Sequence, residues 1–403
     1  MDTNSTVIVL GTFDSKAEEH LFLMRKIEQR GFQTLTINVG TKSPSPVKVD
    51  LDLFDSVNSY GKTFYEDRDA AIRTMLNEAK ILIKLLYQEG KVAGIISAGG
   101  GTGTHICTTI MRELPLGVPK VMVSTVASRD MSGTVATKNI TMMHSVADLL
   151  GINSISGKIL DQAAGAVCGM VQSRWQPTKE KKRIALPFFG FITTGAEFTR
   201  QALESKGYEV IAFHANGTGG MAMEELAAEG YFDGILDLAT HELADQLLDG
   251  YCGAIGPRRY EPVPGKSIPR LVVPGGLDCA VLEFTRNSIP DQYRDRKIFF
   301  YDFRSAIRLN IDETTYLANQ LAEKLNRGAA DVKVLIPQRG WSEADRQDGP
   351  LYDPDTNNFF TARLKESLDP QIEIHEVDHH INDEAFGLIA AEMMDGMVRK
   401  REG

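Results

Sequence analysis

Four glycines, Gly99, Gly100, Gly101 and Gly103, stand between the short apolar run that opens at Val92 and a helical pattern that continues to Leu114. Apolar strand, glycine turn and helix start together form the arrangement by which α/β proteins aim free backbone N–H groups and a positive helix end at an anion. Thr102 and Thr104 add hydroxyls that can cap the helix or donate to a ligand. The spacing is neither the dinucleotide fingerprint nor a Walker loop, because no Gly-Lys-Ser/Thr follows. The turn is therefore expected to hold a phosphate or carboxylate. The alternative, a plain tight turn, needs only one or two of these glycines.

Other polar loops also follow apolar runs. In Gly11-Thr-Phe-Asp-Ser-Lys16, Thr12 is a ligand donor, Lys16 could meet a phosphate and Asp14 a metal or a ribose hydroxyl, unless Asp14 or Ser15 simply caps the next helix. A second glycine turn, with Gly217, Thr218, Gly219 and Gly220 behind His214, is the runner-up phosphate site. Asp278 after Pro274-Gly-Gly is a candidate base or ligand, and the guanidinium fork of Arg339 suits a carboxylate or phosphate. Asp378-His-His-Ile-Asn-Asp383 offers His380 and Asp383 to a divalent metal, along with Asp14; the other reading is a polar loop with Asn382 or Asp383 as a cap. His214, Asp278, Arg339 and His380 are thus the candidate catalytic groups. Thr240 is a candidate N-cap, and His241-Glu242 lacks the HExxH spacing of a zincin.

These loops need a scaffold of alternating strands and helices. Strands are expected over 6–10, 33–39, 92–98, 119–124 and 139–143, with helices over 15–30, 67–88 and 152–174. Residues 40–66 lack periodicity and read as a surface excursion. The polar, proline-bearing run Trp175–Arg183 is the best linker. Beyond it the rhythm restarts: strands over 183–186, 208–213, 234–236, 270–274, 297–301, 332–336 and 372–377, and helices over 313–326, 355–368 and 383–400. A shift of 176 residues, counted between positions of the sequence, sets Ile8 on Ile184, Gly31 on Gly207 and Phe32 on Tyr208, while Gly94 falls on Gly234 with a shift of 140. The expected fold is α/β: two doubly wound, mainly parallel, Rossmann-like modules related by internal duplication, over residues 1–178 and 179–403.

The chain has 403 residues and a formal net charge of −10. That balance disfavours general nucleic-acid binding, and no apolar run reaches membrane-spanning length. The four cysteines lack CxxC spacing and read as reduced thiols of a cytoplasmic protein.

Taken in order, Leu10–Lys16, Ser97–Gly103, Pro119–Thr125, Phe213–Gly220, Glu242–Asp245 and His380–Asp383 resemble one family. It is the ATP-binding domain family named after the tomato tobamovirus-resistance protein, and the likeness spans about residues 5–398. The resemblance implies two α/β subdomains and an ATP site with Mg2+, and it names no catalytic residue. Its plant member also binds a viral replication protein and carries a further barrel domain that this sequence lacks, so the antiviral role is not expected here. The readings that follow are an ATP-dependent or ATP-regulated enzyme acting on a small molecule, a non-catalytic nucleotide-responsive interaction module, or a sugar-acid or keto-acid enzyme with a vestigial nucleotide site. A homodimer is expected, from the association of the plant domain and the commonness of twofold dimers.

Overall fold

The computed structural model describes residues 6–55, 67–173, 175, 176 and 178–401. The chain divides into two compact units, Met1–Gln176 and Pro177–Gly403.

The first unit contains β1 (Thr6–Gly11), α1 (Phe13–Glu28), β2 (Gln33–Asn38), β3 (Leu51–Asp52), α2 (Arg68–Gln88), β4 (Gly94–Gly99) and α3 (Gly101–Met111). It continues with β5 (Lys120–Ser124), the single turn α4 (Ser132–Val135), β6 (Ile140–His144) and α5 (Ser156–Gln172). Its sheet has the order β3-β2-β1-β4-β5-β6, every pair parallel. Strand β1 shows why the run is apolar throughout. Val7 and Val9 pack with α1 and α5 residues on one face, while Ile8 and Leu10 pack with α2 and α3 residues on the other. A parallel strand covered on both faces has no polar side to display. Each such fully buried side chain contributes about 1.5–3 kcal/mol.

The second unit contains β7 (Arg183–Phe188), a 3-10 turn over Gly190–Ile192, α6 (Thr193–Ser205), β8 (Glu209–His214), α7 (Thr218–Glu229), β9 (Gly234–Ala239), α8 (Glu242–Leu248) and β10 (Arg270–Gly275). After β11 (Cys279–Leu282), β12 (Ile298–Phe300) and β13 (Ser305–Arg308) come α9 (Ile311–Asn326), β14 (Val332–Pro337), α10 (Pro354–Ser367), β15 (Glu373–Val377) and α11 (Glu384–Arg399). Six of these strands form a parallel sheet in the order β15-β14-β10-β9-β7-β8. The α/β fold with two parallel six-stranded sheets thus agrees with the sequence reading.

Without the two-residue β3, the first sheet runs β2-β1-β4-β5-β6, which is the connectivity of β8-β7-β9-β10-β14 in the second. The aligned glycines do the same work in both. Gly31 (φ +83°) and Gly207 (φ +95°) follow α1 and α6, where a left-handed residue turns the chain into the next strand. Gly94 lies under Val171 of α5, and Gly234 lies under Met394 of α11; a Cβ at either would come within 2.8 Å of that side chain.

Two expectations change. The strand expected over 297–301 does not join the parallel sheet. As β12 it pairs antiparallel with β13, in a small sheet of order β11-β13-β12, because the short connection over 301–304 allows a hairpin and no crossover. Of the excursion over 40–66, the described part holds β3, and residues 56–66 lie outside the described residues. Among the described residues no helix is long and apolar enough to cross a membrane.

Candidate functional site

In the first sheet β1 is flanked by β2 on one side and β4 on the other, so the chain leaves the carboxyl ends of β1 and β4 in opposite directions. Such a reversal of strand order opens a crevice where open α/β sheets bind ligands. The loops that meet there are Gly11–Phe13 and Gly99–Thr104. A Cβ on Gly103 would sit 3.7 Å from Thr12 Oγ1, and one on Gly100 would sit 3.8 Å from Thr125 Oγ1. Thr12, the glycine turn and Thr125 therefore border one place.

The four glycines of this turn differ in what requires them. A Cβ on Gly99 would come 3.2 Å from Gly103 Cα, so Gly99 is needed for the tight turn. Gly100 has φ −78° and ψ −167°, an extended conformation open to any residue. A Cβ on Gly101 would meet nothing within 4 Å. Neither backbone strain nor packing within the protein explains why Gly100 and Gly101 lack side chains. Helix α3 starts here without a side-chain cap, so its first N–H groups face outward from the turn. Thr104 is buried instead, its Oγ1 2.7 Å from Ser124 Oγ, and it ties the turn to β5. Thr102 is exposed and accepts a hydrogen bond from Arg68 Nη2 at 3.0 Å.

Lys16 and Asp14 have other engagements. Lys16 interrupts the helical geometry of α1 (φ −135°, ψ 36°), and its Nζ donates to the Leu149 carbonyl in the loop after β6. Asp14 Oδ2 accepts from Lys42 N at 2.9 Å, and a Cβ on Gly40 would lie 2.4 Å from Asp14 Cγ. Asp14 thus fastens the loop after β2, and the cation that reaches the glycine turn is Arg68. Beneath the crevice, buried His20 donates from Nδ1 to Lys16 O (2.7 Å) and accepts at Nε2 from Ala98 N (3.3 Å). Burial keeps its pKa below the ordinary histidine value.

The second glycine turn makes room for the protein itself. A Cβ on Gly217 would lie 2.0 Å from Gly253 O, one on Gly219 1.9 Å from His214 O, and one on Gly220 2.6 Å from Glu242 Oε1. Gly217 (φ +79°) also donates from N to Glu242 Oε1 at 2.7 Å, while Thr218 is exposed. Glu242 belongs to a buried ion cluster: Arg259 contacts Glu224, Asp237 and Glu242, and Arg270 contacts Glu224 and Asp237. This cluster holds α7, β9 and the start of α8 together.

Of the remaining candidates, Asp278 and His380 meet at Ser342, bonding its hydroxyl and its carbonyl, and Asp383 bonds the backbone of His380. Arg339 makes a two-pronged pair with Asp378, both bonds 2.7 Å, with the Arg339 side chain 61% exposed. His380 accepts at Nδ1 from Asn382 N (3.1 Å) and donates from Nε2 to Ser342 O (3.0 Å), so both ring nitrogens have hydrogen-bond partners within the protein. Asp383 Oδ2 accepts from His380 N at 2.8 Å and closes the loop before α11. Among the described residues no group of three or more His, Cys, Asp or Glu is placed to hold a metal ion. His214 is exposed at the end of β8.

Asp278 is different. Its Oδ2 accepts from Ser342 Oγ at 2.9 Å, and its Oδ1 is buried without a partner among the described residues. Burial, reinforced by the nearby Asp345 carboxylate, pushes it up to about 7. Asp345, by contrast, accepts from Trp341 N, Asn357 Nδ2 and Arg308 Nη1.

Three groups escaped the sequence reading. Arg68 precedes no glycine motif, and only its place at the start of α2 brings it to the turn. Thr125 stood in a quoted motif without a role. His241 matched no zinc spacing, yet it is fully buried, two residues past the end of β9.

Fold and site together define a two-unit, doubly wound α/β protein with an open glycine turn at the strand-order reversal of its first unit. The chain belongs to the uncharacterised protein family UPF0261: the model of that family's N-terminal domain matches residues 5–176 and that of its C-terminal domain residues 181–398. A UPF0261 protein of Clostridium tetani is 36% identical over 406 residues, covering 98% of this chain and 100% of the relative. The ToMV resistance protein Tm-1 of Solanum lycopersicum is 33% identical over 410 residues, and the match takes in 94% of this chain and 54% of the tomato protein, about half of it. A putative UDP-N-acetylglucosamine 2-epimerase from Listeria monocytogenes aligns with 98% of this chain and 96% of its own at 11% identity, with a TM-score of 0.24, too low to bear on fold or function.

Proposed function

We propose that the first unit binds the phosphates of ATP at Gly99–Gly103, and that the protein is an ATP-dependent or ATP-regulated component of small-molecule metabolism. One observation carries this reading: Gly100 and Gly101 lack side chains that neither the backbone nor the packing forbids, at the start of an uncapped helix. A phosphate seated there would accept from backbone N–H groups and from the α3 dipole. Thr12 and Thr125 stand at its sides and Arg68 at its front. Mg2+ would enter on the nucleotide, since this ion keeps most of its ligands from phosphate and water and needs few from the protein.

The alternative of a nucleotide-responsive interaction module has its own support. Lys16 links α1 to the loop after β6, where Val146 is 69% and Leu150 88% exposed. An anion that drew Lys16 away would free this apolar loop.

Calorimetry with MgATP tests the binding. Saturable binding that falls about tenfold or more in Gly101→Val, with the fold retained, is the expected result; no saturable binding by the folded protein would overturn it. ATP turnover on adding candidate acids supports the enzyme reading. Binding without turnover, with altered hydrogen exchange over residues 145–155, supports the module.

A further inference from the structure

The second unit holds a cavity of about 210 Å3 that no role described so far accounts for. One wall is a stripe of α7, where Met221, Glu224, Glu225 and Ala228 stand at i, i+3, i+4 and i+7 on one face of the helix. The opposite wall is the chain over 255–264, between α8 and β10. It brings Ile255, Pro257, Pro262, Val263 and Pro264 to the cavity. The body of the lining is apolar with a few charged groups beside it, which is the composition of a small-ligand site.

The loop wall is built to keep its shape. Its three prolines fix φ, and Tyr260, a bulky residue, is held in the left-handed region (φ +66°), where such residues are rare. Three contacts impose that conformation. Tyr260 N donates to Glu224 Oε1 at 3.0 Å, its Oη donates to Ala239 O at 3.2 Å, and the Arg259 guanidinium lies 3.8 Å from the ring centroid. At Gly256 a Cβ would come 3.1 Å from Met221 Sδ, so the loop passes close against α7. Strain that the surroundings enforce clusters at ligand clamps, and a wall already rigid lets a ligand bind without the cost of ordering it.

The charges beside the cavity differ in what they lack. Glu224 pairs with Arg259 and Arg270, and Glu261 with Lys324 and Arg327, while Glu225 is also engaged. Arg259 is held in the ion cluster. Arg258, by contrast, borders the cavity and is exposed, and among the described residues no hydrogen bond or ion pair holds its side chain. An apolar interior beside one uncommitted guanidinium is the complement of an apolar body that ends in a carboxylate. Size narrows the class: an apolar cavity of about 150 Å3 takes benzene, so this one suits a single ring or branched chain with a short acid arm.

We propose that this cavity of the second unit binds a small apolar carboxylate of the arylacetic or branched-chain type. Its body lies between α7 and the 255–264 loop, and its carboxylate meets Arg258. The site is independent of the nucleotide turn, and either can fail without the other.

The test uses the full chain with phenylacetate, hydrocinnamate and isovalerate. The primary amide of each is the control without charge, and acetate is the control without the apolar body. The readouts are calorimetry and the methyl 13C resonance of Met221. At least one of the three acids is expected to bind saturably and move the Met221 signal, its amide to bind about tenfold or more weakly, and acetate to do neither. Arg258→Gln should weaken the acid by about tenfold or more, as for a lost charge-assisted hydrogen bond, and erase the preference for acid over amide. Ala228→Met keeps a good helix former at an exposed position and fills the cavity, so it should abolish binding with the fold intact. Gly101→Val should leave acid binding unchanged. Absence of saturable binding by every acid, equal binding of the amide, or unchanged affinity in Arg258→Gln or in Ala228→Met would each overturn the proposal.

Discussion

The two glycine turns make opposite predictions for the same kind of substitution. Gly101→Ala adds a methyl group where nothing stands within 4 Å, at the first residue of α3. Removing a helical glycine also removes its excess unfolded-state entropy, so stability should hold or rise by up to about 0.5–1 kcal/mol. Gly219→Ala adds its methyl 1.9 Å from the His214 carbonyl oxygen, which is backbone and cannot swing aside. Forcing the turn open should cost about 1–3 kcal/mol, roughly 2–12 °C in a unit of this size. Binding should divide the other way. The bulkier Gly101→Val occupies the space proposed for a phosphate and should weaken MgATP by about ten- to a hundredfold, or 1.4–2.8 kcal/mol. Gly219→Ala should leave that affinity unchanged while the first unit remains folded. Urea unfolding followed unit by unit, with calorimetry on the same samples, reads both quantities. Equal loss of stability and affinity in the Gly101 variants would mean that the glycines serve the turn alone. Loss of affinity without loss of stability in Gly219→Ala would move the phosphate site to the second turn.

Three further outcomes are expected. Arg68→Ala, at an exposed position, should lower MgATP affinity by about ten- to a hundredfold, as for a lost charge-assisted hydrogen bond, with little change in stability; calorimetry showing unchanged affinity would remove Arg68 from the site. Arg259→Ala leaves Glu224, Asp237 and Glu242 with Arg270 as their one remaining cation in the cluster, and should cost about 3–5 kcal/mol in urea unfolding; a loss below about 1 kcal/mol would show that the cluster is not structural. Asp278, raised to about 7 by burial, binds its proton more tightly folded than unfolded, so its contribution is full below about pH 4 and is lost as pH rises through 7. The loss amounts to about 4 kcal/mol, and Asp278→Asn, which mimics the protonated acid, should flatten this part of the stability–pH curve; a variant curve parallel to the parent's would refute the assignment.

Much of the fold was legible because parallel strands buried on two faces leave long apolar runs, as Val7–Leu10 and Ile184–Leu186 do. Helix ends were readable to within four residues, and Asn310 with Glu313 shows why some started earlier than periodicity suggested: a capping box, not an apolar residue, sets the first turn. The antiparallel β11-β13-β12 sheet was not legible, since Ile298–Phe300 has the same composition as a parallel strand and only the length of the next connection distinguishes them. Side-chain direction was the least legible of all. The types of Lys16, Asp14, His380 and Asp383 suit a triphosphate or a metal, but each is turned to a nearby backbone group, a preference that composition does not reveal.

Glycine content alone ranked the turns at 99–103 and 217–220 nearly equal, and this is where structure adds most. A glycine is selected either because its own chain comes too close for a Cβ or because something outside the chain does. At Gly217, Gly219 and Gly220 the close neighbours are Gly253 O, His214 O and Glu242, so the first cause is sufficient. At Gly101 a Cβ would meet nothing within 4 Å, at Gly100 it would stand at ordinary contact distance, 3.8 Å, from Thr125 Oγ1, and the Gly100 backbone is unstrained, so the chain itself requires neither glycine. That argument leads to the strand-order reversal of the first sheet and supports the proposed phosphate there, a ligand that can be titrated directly.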